Sequence, residues 1–228
     1  RMDADVPLLV PEVNPESLEL TKTQKYGNGM IVTNPNCTTV GLVMALKPLV
    51  NAFGIESVMV TTMQALSGAG YPGVASLDIV DNVVPFISGE EEKVETEPVK
   101  ILGVPLKISA HCNRVAVIDG HTQCVSVKLK QSATREHIIT AWREYRSVPQ
   151  ELQLPMAPEF PIRYFDEERY PQPRLHRNLD KGMVTSIGRL RPCALLDWKF
   201  VLMSHNTIRG AAGGAILNAE LMVKQGLV

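Results

Sequence analysis

The 228-residue chain has 45% hydrophobic residues, 23 basic against 24 acidic side chains and a formal net charge of −1. This composition is typical of a globular chain with a sizeable core, and without a basic excess we predict no nucleic-acid partner. No apolar run approaches the roughly 18 residues of a membrane span and no signal-peptide pattern opens the chain, so we predict a cytosolic protein without membrane contact.

The opening segment, residues 1–30, is polar, punctuated by prolines and begins with Arg1 rather than Met. Such a segment is typical of the middle of a longer polypeptide. We therefore expect the chain to be a fragment.

Helical and strand patterns alternate through the next part of the chain. Residues 38–52 carry apolar side chains at helical spacing, with Asn36 or Thr38 as the cap, and Pro48 is expected to bend or end this helix early. Residues 55–65 are rich in Val, Met and Thr and predict a largely buried strand.

A second, exposed helix is predicted over residues 89–102, where three consecutive glutamates suit the positive end of the helix dipole and Pro98 limits the length. Two strand candidates follow, at 108–118 and 122–130, joined by the turn-favouring dipeptide at 119–120. Apolar and polar residues alternate in the second of these, as in a half-buried strand.

The second half predicts a helix over 134–146, then a long surface loop over 149–173, where six prolines argue against regular structure. Strands are predicted around 183–190 and 198–204, and a final helix begins near residue 206. Most of the predicted strands do not alternate with helices as they do in βαβ units, and no strand is followed by a G-x-G-x-x-G motif. The sequence therefore favours the α+β class over a doubly wound α/β fold.

The four cysteines include no C-x-x-C pair, so we expect reduced thiols. A group of four possible zinc ligands lies within fourteen residues, but its spacing matches no familiar zinc pattern and no metal is predicted. That group consists of His111, Cys112, His121 and Cys124.

Cys37 stands at the predicted entrance of the first helix, directly after Asn36. Free N–H groups and the helix dipole at that position favour a thiolate, so we predict a pKa below the usual 8.5 or so and a nucleophilic role. The alternative is a small buried hydrophobic residue. A thiolate enzyme needs an imidazole to move protons, and from residue chemistry alone His111, His121 and His205 all stay open.

Five segments in order resemble the aspartate-semialdehyde dehydrogenases of fungi and archaea, from about residue 30 to about 220. The resemblance implies a domain like the C-terminal domain of glyceraldehyde-3-phosphate dehydrogenase, with helices on one face of a mixed or antiparallel sheet. The opening stretch resembles the interdomain segment of that family. The five segments are NPNCTTVGLVMALKPL, TTMQALSGAGYPG, GEEEKVETE, CNRVAVIDGHT and HNTIRGAAGGAILNAEL.

The reaction implied by this resemblance is the NADPH-dependent reduction of L-aspartyl-4-phosphate to L-aspartate 4-semialdehyde and phosphate. It serves the synthesis of lysine, threonine, methionine and isoleucine. By the resemblance Cys37 is the nucleophile that forms a thioester, His121 the acid and base, and Gln64 the residue that orients the acyl-enzyme.

Substrate contacts follow from charge and from the resemblance together. Arg114, seven residues before the histidine, suits a bidentate grip on the α-carboxylate. Glu90 is assigned to the ammonium group, although the neighbouring Glu91 and Glu92 leave the register open. The phosphate is assigned to Lys93 and Asn36.

Cofactor contacts on these residues are few. Ser67, Gly68, Gly70 and Asn206 resemble positions that approach the nicotinamide half of NADP, and the resemblance implies that a separate N-terminal nucleotide-binding domain makes most of the other contacts. Glycines 210, 213 and 214 in the last helix are expected to serve close helix packing, since each costs about 1 kcal/mol there.

The resemblance assigns residues 1–228 to a catalytic and dimerisation domain that assembles as a homodimer or tetramer. Residues 206–228 would pack on the nucleotide-binding domain, so we expect them to be disordered or displaced, and the fragment to be inactive alone. The alternatives are a related cysteine-dependent acyl-phosphate reductase, such as N-acetylglutamyl-phosphate reductase or glyceraldehyde-3-phosphate dehydrogenase, or a dimerisation module without catalysis.

Overall fold

A mixed six-stranded sheet carries helices on one of its faces in the computed structural model, which describes residues 1–228. The strand order is β2-β1-β3-β6-β5-β4. This architecture confirms the α+β class. The strands are β1 (Ile55–Gln64), β2 (Lys107–Arg114), β3 (His121–Leu129), β4 (Ile162–Phe165), β5 (Thr185–Pro192) and β6 (Trp198–Ser204).

The chain has seven α-helices and four helical segments of other types. Three of these segments are 3-10 helices, at Pro15–Thr23, Leu66–Ala69 and Leu179–Gly182, and a π-helix spans Ile208–Ala212. None of the helices is both long enough and apolar enough to cross a bilayer. The α-helices are α1 (Cys37–Phe53), α2 (Ser76–Ile79), α3 (Glu90–Leu102), α4 (Arg135–Arg143), α5 (Val148–Glu151), α6 (Pro173–His176) and α7 (Gly213–Lys224).

The central position of β1 overturns one sequence expectation. β2 and β3 follow each other along the chain, and Gly120 between them has the positive φ that favours glycine. They nevertheless do not form a hairpin, because β1 lies between them, parallel to β2 and antiparallel to β3. β3 then pairs antiparallel with β6, so β1 and β6 flank His121 at the start of β3.

Helix α1 forms the centre of the core. Its residues from Leu42 to Leu46 are fully buried, because the sheet lies beneath and other elements cover the remaining sides. The expectation that Pro48 ends the helix early is wrong, since α1 continues to Phe53. Packing on all sides offsets the missing backbone hydrogen bond, and the indole of Trp142 donates to the Ala45 carbonyl at 2.9 Å.

Two further expectations need correction in the same way. Helix α3 ends at Leu102 as predicted, but one of its faces is buried rather than exposed. The proline-rich region over 149–173 is not wholly irregular, because β4 lies within it and pairs in parallel with β5. In both places packing against residues distant in sequence determines the burial or the secondary structure, which local composition does not predict.

The terminal segment over 206–228 is helical and packed, so the expectation of disorder is wrong for these residues. Leu217 and Leu221 of α7 are fully buried in a small apolar cluster with Leu9, Leu154 and Met183. Ile216, on another face of the helix, is about half exposed. The chain's own opening and proline-rich segments therefore supply the partners that this helix needs.

The other face of the sheet is open in the part formed by β1 and its neighbours β2 and β3, whereas α6 packs against the β6 end of that face. Exposed side chains of Met59, Thr61, His111 and Cys124 lie side by side on it, since Thr61 is paired with His111 on one flank and with Cys124 on the other. His121 is buried on the helix-covered side. The four residues considered as zinc ligands are thus divided between the two faces.

Candidate active site

Cys37 lies in the first turn of α1, beside the other predicted site residues. Asn36 caps this helix, and its Oδ1 accepts hydrogen bonds from the backbone N–H groups of Thr38 at 2.9 Å and Thr39 at 3.3 Å. The Asn36 backbone N–H donates to the Glu97 carboxylate at 2.8 Å. The cap is thereby fixed from both sides, and Cys37 becomes the first helical residue.

Cys37 and His121 are in contact, since Sγ lies 3.3 Å from Nε2. The imidazole is fully buried, and its Nδ1 accepts a hydrogen bond from the Ala65 backbone N–H at 3.0 Å. The carbonyl of the same Ala65 accepts from Arg114 Nη1 at 2.6 Å. One backbone residue therefore orients both the imidazole and the guanidinium.

Both members of the pair prefer their neutral forms. Burial, and then the nearby Glu90 carboxylate, raise the pKa of the Cys37 thiol to about 11, although hydrogen bonds with Thr38 act in the opposite direction. Burial, with Arg114 and His205 adding to it, lowers the pKa of His121 to about 3. The expectation of a depressed thiol pKa is wrong here, because desolvation outweighs the helix terminus.

Glu90 gathers the other predicted substrate residues around one buried carboxylate. Asn36 Nδ2 donates to both of its oxygens at 2.9 Å, and Gln64 Nε2 donates to Oε2 at 3.2 Å. Lys93, one turn further along α3, forms an ion pair with Oε1 at 3.1 Å. Residues from three separate elements therefore converge within about 3 Å of one anionic group.

The neighbouring glutamates have other partners. Glu91 accepts from the backbone N–H of Cys112 at 3.1 Å, and Glu95 accepts from that of Ala110 at 3.0 Å. These bonds attach α3 to the edge strand β2, while Glu92 is exposed. Helical geometry consequently turns Glu90, and not its two neighbours, towards Asn36 and Gln64.

Three of the four proposed cofactor residues, Ser67, Gly68 and Asn206, lie near His121 and Arg114. Asn206 donates to Ser67 Oγ at 2.8 Å and accepts from the Gly120 N–H at 2.8 Å. A Cβ on Gly68 would lie 2.8 Å from Arg114 Nη1 and 2.9 Å from His121 Cε1, so only glycine fits there. Gly70 is exposed, with no atom within 4 Å of a Cβ position.

Gly210 is a site residue that sequence reasoning placed only in helix packing. A Cβ on Gly210 would lie 2.6 Å from Cys37 Cβ and 2.8 Å from Cys37 Cα. The small-residue run GAAGG signalled close packing, which the structure confirms for this glycine. The identity of the packing partner, the nucleophile candidate itself, had no local signal.

A buried ion pair holds the π-helix that carries Gly210. Arg209 and Glu12 are almost fully buried and form two parallel hydrogen bonds of 2.6 and 2.7 Å. Arg209 also contacts Met44 Sδ at 3.0 Å, two turns along α1 from Cys37. Nothing in the sequence pairs these residues, which are 197 positions apart. Ala65, which acts through its backbone, was missed for a similar reason.

Comparison with known proteins gives consistent matches over the whole chain. The family model described as "Semialdehyde dehydrogenase, dimerisation domain" matches residues 46–209. The aspartate-semialdehyde dehydrogenase of Methanothermobacter thermautotrophicus is 49% identical over 97% of this chain and 68% of its own length. That of Schizosaccharomyces pombe is 49% identical over 100% of this chain and 68% of its own length.

Among solved structures, the Candida albicans aspartate semialdehyde dehydrogenase with NADP superposes with a TM-score of 0.91. It is 42% identical, and the match covers 100% of this chain and 69% of that one. The chain therefore spans about two thirds of the length of the proteins that it matches.

Proposed function

We propose that this chain, which belongs to the aspartate-semialdehyde dehydrogenase family, carries the cysteine chemistry and the substrate contacts of that enzyme. The observation that supports this most directly is the 3.3 Å contact between Cys37 Sγ and His121 Nε2 at a capped helix terminus. A nucleophile, an imidazole, a cation and a carboxylate from separate elements meet at this point. The proposed domain comprises residues 1–228.

In the proposed reaction the Cys37 sulfur attacks the acyl carbon of L-aspartyl-4-phosphate. The new S–C bond forms while the C–O bond to phosphate breaks, which leaves a thioester on Cys37 and releases phosphate. Gln64, whose amide donates to Glu90, is proposed to orient the acyl group. Hydride addition to the acyl carbon, cleavage of the S–C bond and return of a proton to the Cys37 sulfur would then give L-aspartate 4-semialdehyde. This product is a precursor in the biosynthesis of lysine, threonine, methionine and isoleucine.

The cofactor of the proposed reaction is NADPH, which supplies the hydride when bound. Ser67, Gly68, Gly70 and Asn206 are the residues proposed to meet it. They offer a hydroxyl, an amide and bare backbone but no charge, so they fit an uncharged nicotinamide end rather than the phosphates of the cofactor.

Substrate recognition rests on charge complementarity. The α-carboxylate matches the planar guanidinium of Arg114, and the ammonium group matches the buried Glu90. Lys93 is partly exposed beside Glu90, where its ammonium can meet the phosphate together with the Asn36 amide. An N-acetylated substrate would bring no ammonium group to Glu90, which favours the free amino acid over the acetylated alternative.

The family model concerns dimerisation, and the open part of the sheet face around β1 is the surface we propose for it. Met59 is about half exposed there, and Thr61, His111 and Cys124 surround it. A second copy of the chain covering this face would form a homodimer, or one half of a tetramer. Substituting Thr61 with Arg should shift the sedimentation of the assembly to that of the monomer.

The test of the catalytic proposal is the Cys37→Ser variant of the natural protein, with Cys193→Ser as the matched control. We expect the first to lose phosphate- and NADP-dependent oxidation of the semialdehyde, and the second to keep it. With phosphate omitted, mass spectrometry should locate an acyl group on the peptide that contains Cys37. An acyl group on another residue, or full activity of the Cys37 variant, would refute the proposal and favour a non-catalytic module.

A further inference from the structure

The segment that leads from the end of β6 into α7 is a π-helix, Ile208–Ala212, rather than an α-helix. Backbone N–H groups in and just after it donate to carbonyls five positions earlier. These bonds are Gly210 to His205 at 3.0 Å, Ala212 to Thr207 at 3.0 Å and Gly213 to Ile208. A π-turn closes over one residue more than an α-turn and is rare, but it is frequent at functional sites. Contacts outside the segment must therefore favour it here.

Two glycines make room for the π register. A Cβ on Gly213 would lie 3.0 Å from the carbonyl oxygen of Ile208, and one on Gly214 would lie 2.7 Å from that of Arg209. Both oxygens belong to residues five positions earlier, so the glycines remove the side-chain atoms that would crowd the wider turn. The sequence thus permits the π register, although a missing Cβ does not enforce it.

The buried ion pair between Glu12 and Arg209 is the contact that can enforce this register. Two parallel hydrogen bonds of 2.6 and 2.7 Å join the guanidinium to the carboxylate, and such a planar fork fixes direction as well as distance. Glu12 is itself held in place, because its backbone carbonyl accepts a hydrogen bond from the Tyr145 hydroxyl. Within the same turn, the Asn14 side chain accepts from the Val10 N–H at 2.9 Å.

Arg209 and Gly210 are neighbours in the chain but meet α1 at points two turns apart. Arg209 contacts Met44 Sδ at 3.0 Å, whereas a Cβ on Gly210 would lie 2.6 Å from Cys37 Cβ. A change to the α register would take one residue out of the turn and rotate the residues before it by about 100° relative to those after it. The contact of Gly210 with Cys37 and the hydrogen bonds of Asn206 could then not both be kept.

We propose that Glu12 and Arg209 are positioning residues for the proposed reaction, because their ion pair holds residues 208–212 in the π register. That register places Gly210 against the proposed nucleophile and, one turn earlier, Asn206 among the proposed cofactor residues. The two charged side chains are almost fully buried, so they act through these neighbours and not on the substrate. This inference rests on the proposed function and adds to it a pair of residues that belong to opposite ends of the chain.

The Glu12→Gln, Arg209→Met double variant separates positioning from stability. It leaves neither charge buried without a partner, so it should recover much of the resistance to denaturant that Glu12→Gln alone loses. Its kcat should nevertheless stay about 10²-fold below that of the natural protein, the usual cost of misplacing a reacting group by about 1 Å. Leu190→Ala, in the core at β5, is the control and should lower stability but not kcat. Recovery of kcat together with stability would overturn the inference.

The second arm needs neither substrate nor cofactor. Burial raises the pKa of the Cys37 thiol, and Gly210 is part of its cover. In the double variant we expect iodoacetamide to alkylate Cys37 at least about tenfold faster near pH 7, because a lower pKa leaves more thiolate, while the rate at Cys193 stays unchanged.

A crystal structure of the double variant should show the Gly210 N–H bonded to the carbonyl of Asn206, four positions earlier. Retention of its bond to His205, or an unchanged alkylation rate at Cys37, would overturn the inference whatever the activity. Absence of semialdehyde oxidation in the natural protein would instead refute the proposed function, so the two failures are distinguishable.

Discussion

The close approach of Gly210 to Cys37 makes Gly210→Ala a test of how the sulfur is positioned. The added Cβ would lie 2.6 Å from Cys37 Cβ, short of an ordinary carbon–carbon contact of about 3.5 Å by about 0.9 Å. The atoms it meets are Cys37 Cβ, Cα and O, none of which is the far end of a flexible side chain. Relief therefore requires one of the two backbone segments to move.

The expected costs differ for stability and for catalysis. Overpacking costs about 1–3 kcal/mol, while replacing a helical glycine with alanine returns about 1 kcal/mol, so the free energy of unfolding should fall by about 0–2 kcal/mol. A movement of Cys37 by about 1 Å, however, would break its 3.3 Å contact with His121, and such misplacement costs about 10²-fold in kcat.

Gly213→Ala is the matched control, because its Cβ would crowd Met183 Sδ at 2.5 Å and Ile208 Cγ2 at 2.9 Å but not Cys37. Steady-state kinetics and denaturant unfolding should show similar stability for the two variants and a large fall in kcat only for Gly210→Ala. Wild-type kcat in Gly210→Ala would refute the argument that this glycine positions the nucleophile.

Three other predictions follow from the charges. Glu90→Gln should lower the pKa of the Cys37 thiol, because its carboxylate helps to raise it, and the pH dependence of iodoacetamide alkylation measures this; an unchanged midpoint would contradict it. In the unliganded protein near pH 7, peptide mapping should find Cys193 alkylated before Cys37, since backbone hydrogen bonds lower the pKa of Cys193; the reverse order would show an activated Cys37. Glu12→Gln leaves the Arg209 charge buried without its partner and should cost about 3–5 kcal/mol in denaturant unfolding, with the Glu12→Gln, Arg209→Met double variant recovering most of it.

Helices and strands were predicted well where the residues of the element itself carry the signal, such as a capping residue or a regular spacing of apolar residues. The first helix is capped by Asn36, one of the two candidates, the strand predicted over 55–65 ends at Gln64, and the helix predicted over 134–146 spans Arg135–Arg143. The chain only bends at 119–120, and the strands on either side pair with β1 rather than with each other. Strand order depends on contacts far apart in sequence, which residue spacing does not record.

The candidate site, too, could be predicted from the sequence in part: the side chains that carry charge or chemistry were found, but properties that depend on distant contacts were not. Charge and motif order selected Cys37, His121, Arg114 and Glu90, which the structure brings to one place. The thiol pKa could not be predicted from the helix terminus alone, because it depends on burial and on a carboxylate 53 positions away in another helix. Ala65 had no signal, since its contribution is a backbone N–H and C=O that any residue except proline offers.

The electrostatics of the resting site favour a particular kind of substrate. A thiol with a raised pKa and an imidazole with a lowered one do not form the ion pair on which many cysteine enzymes depend. An acyl phosphate removes that need, because the departing phosphate is itself basic and can carry the thiol proton away. An ammonium group placed at Glu90 would also offset the negative charge that raises the pKa of Cys37. In the proposed reaction the substrate would thus supply both the base and the countercharge that the unliganded site lacks.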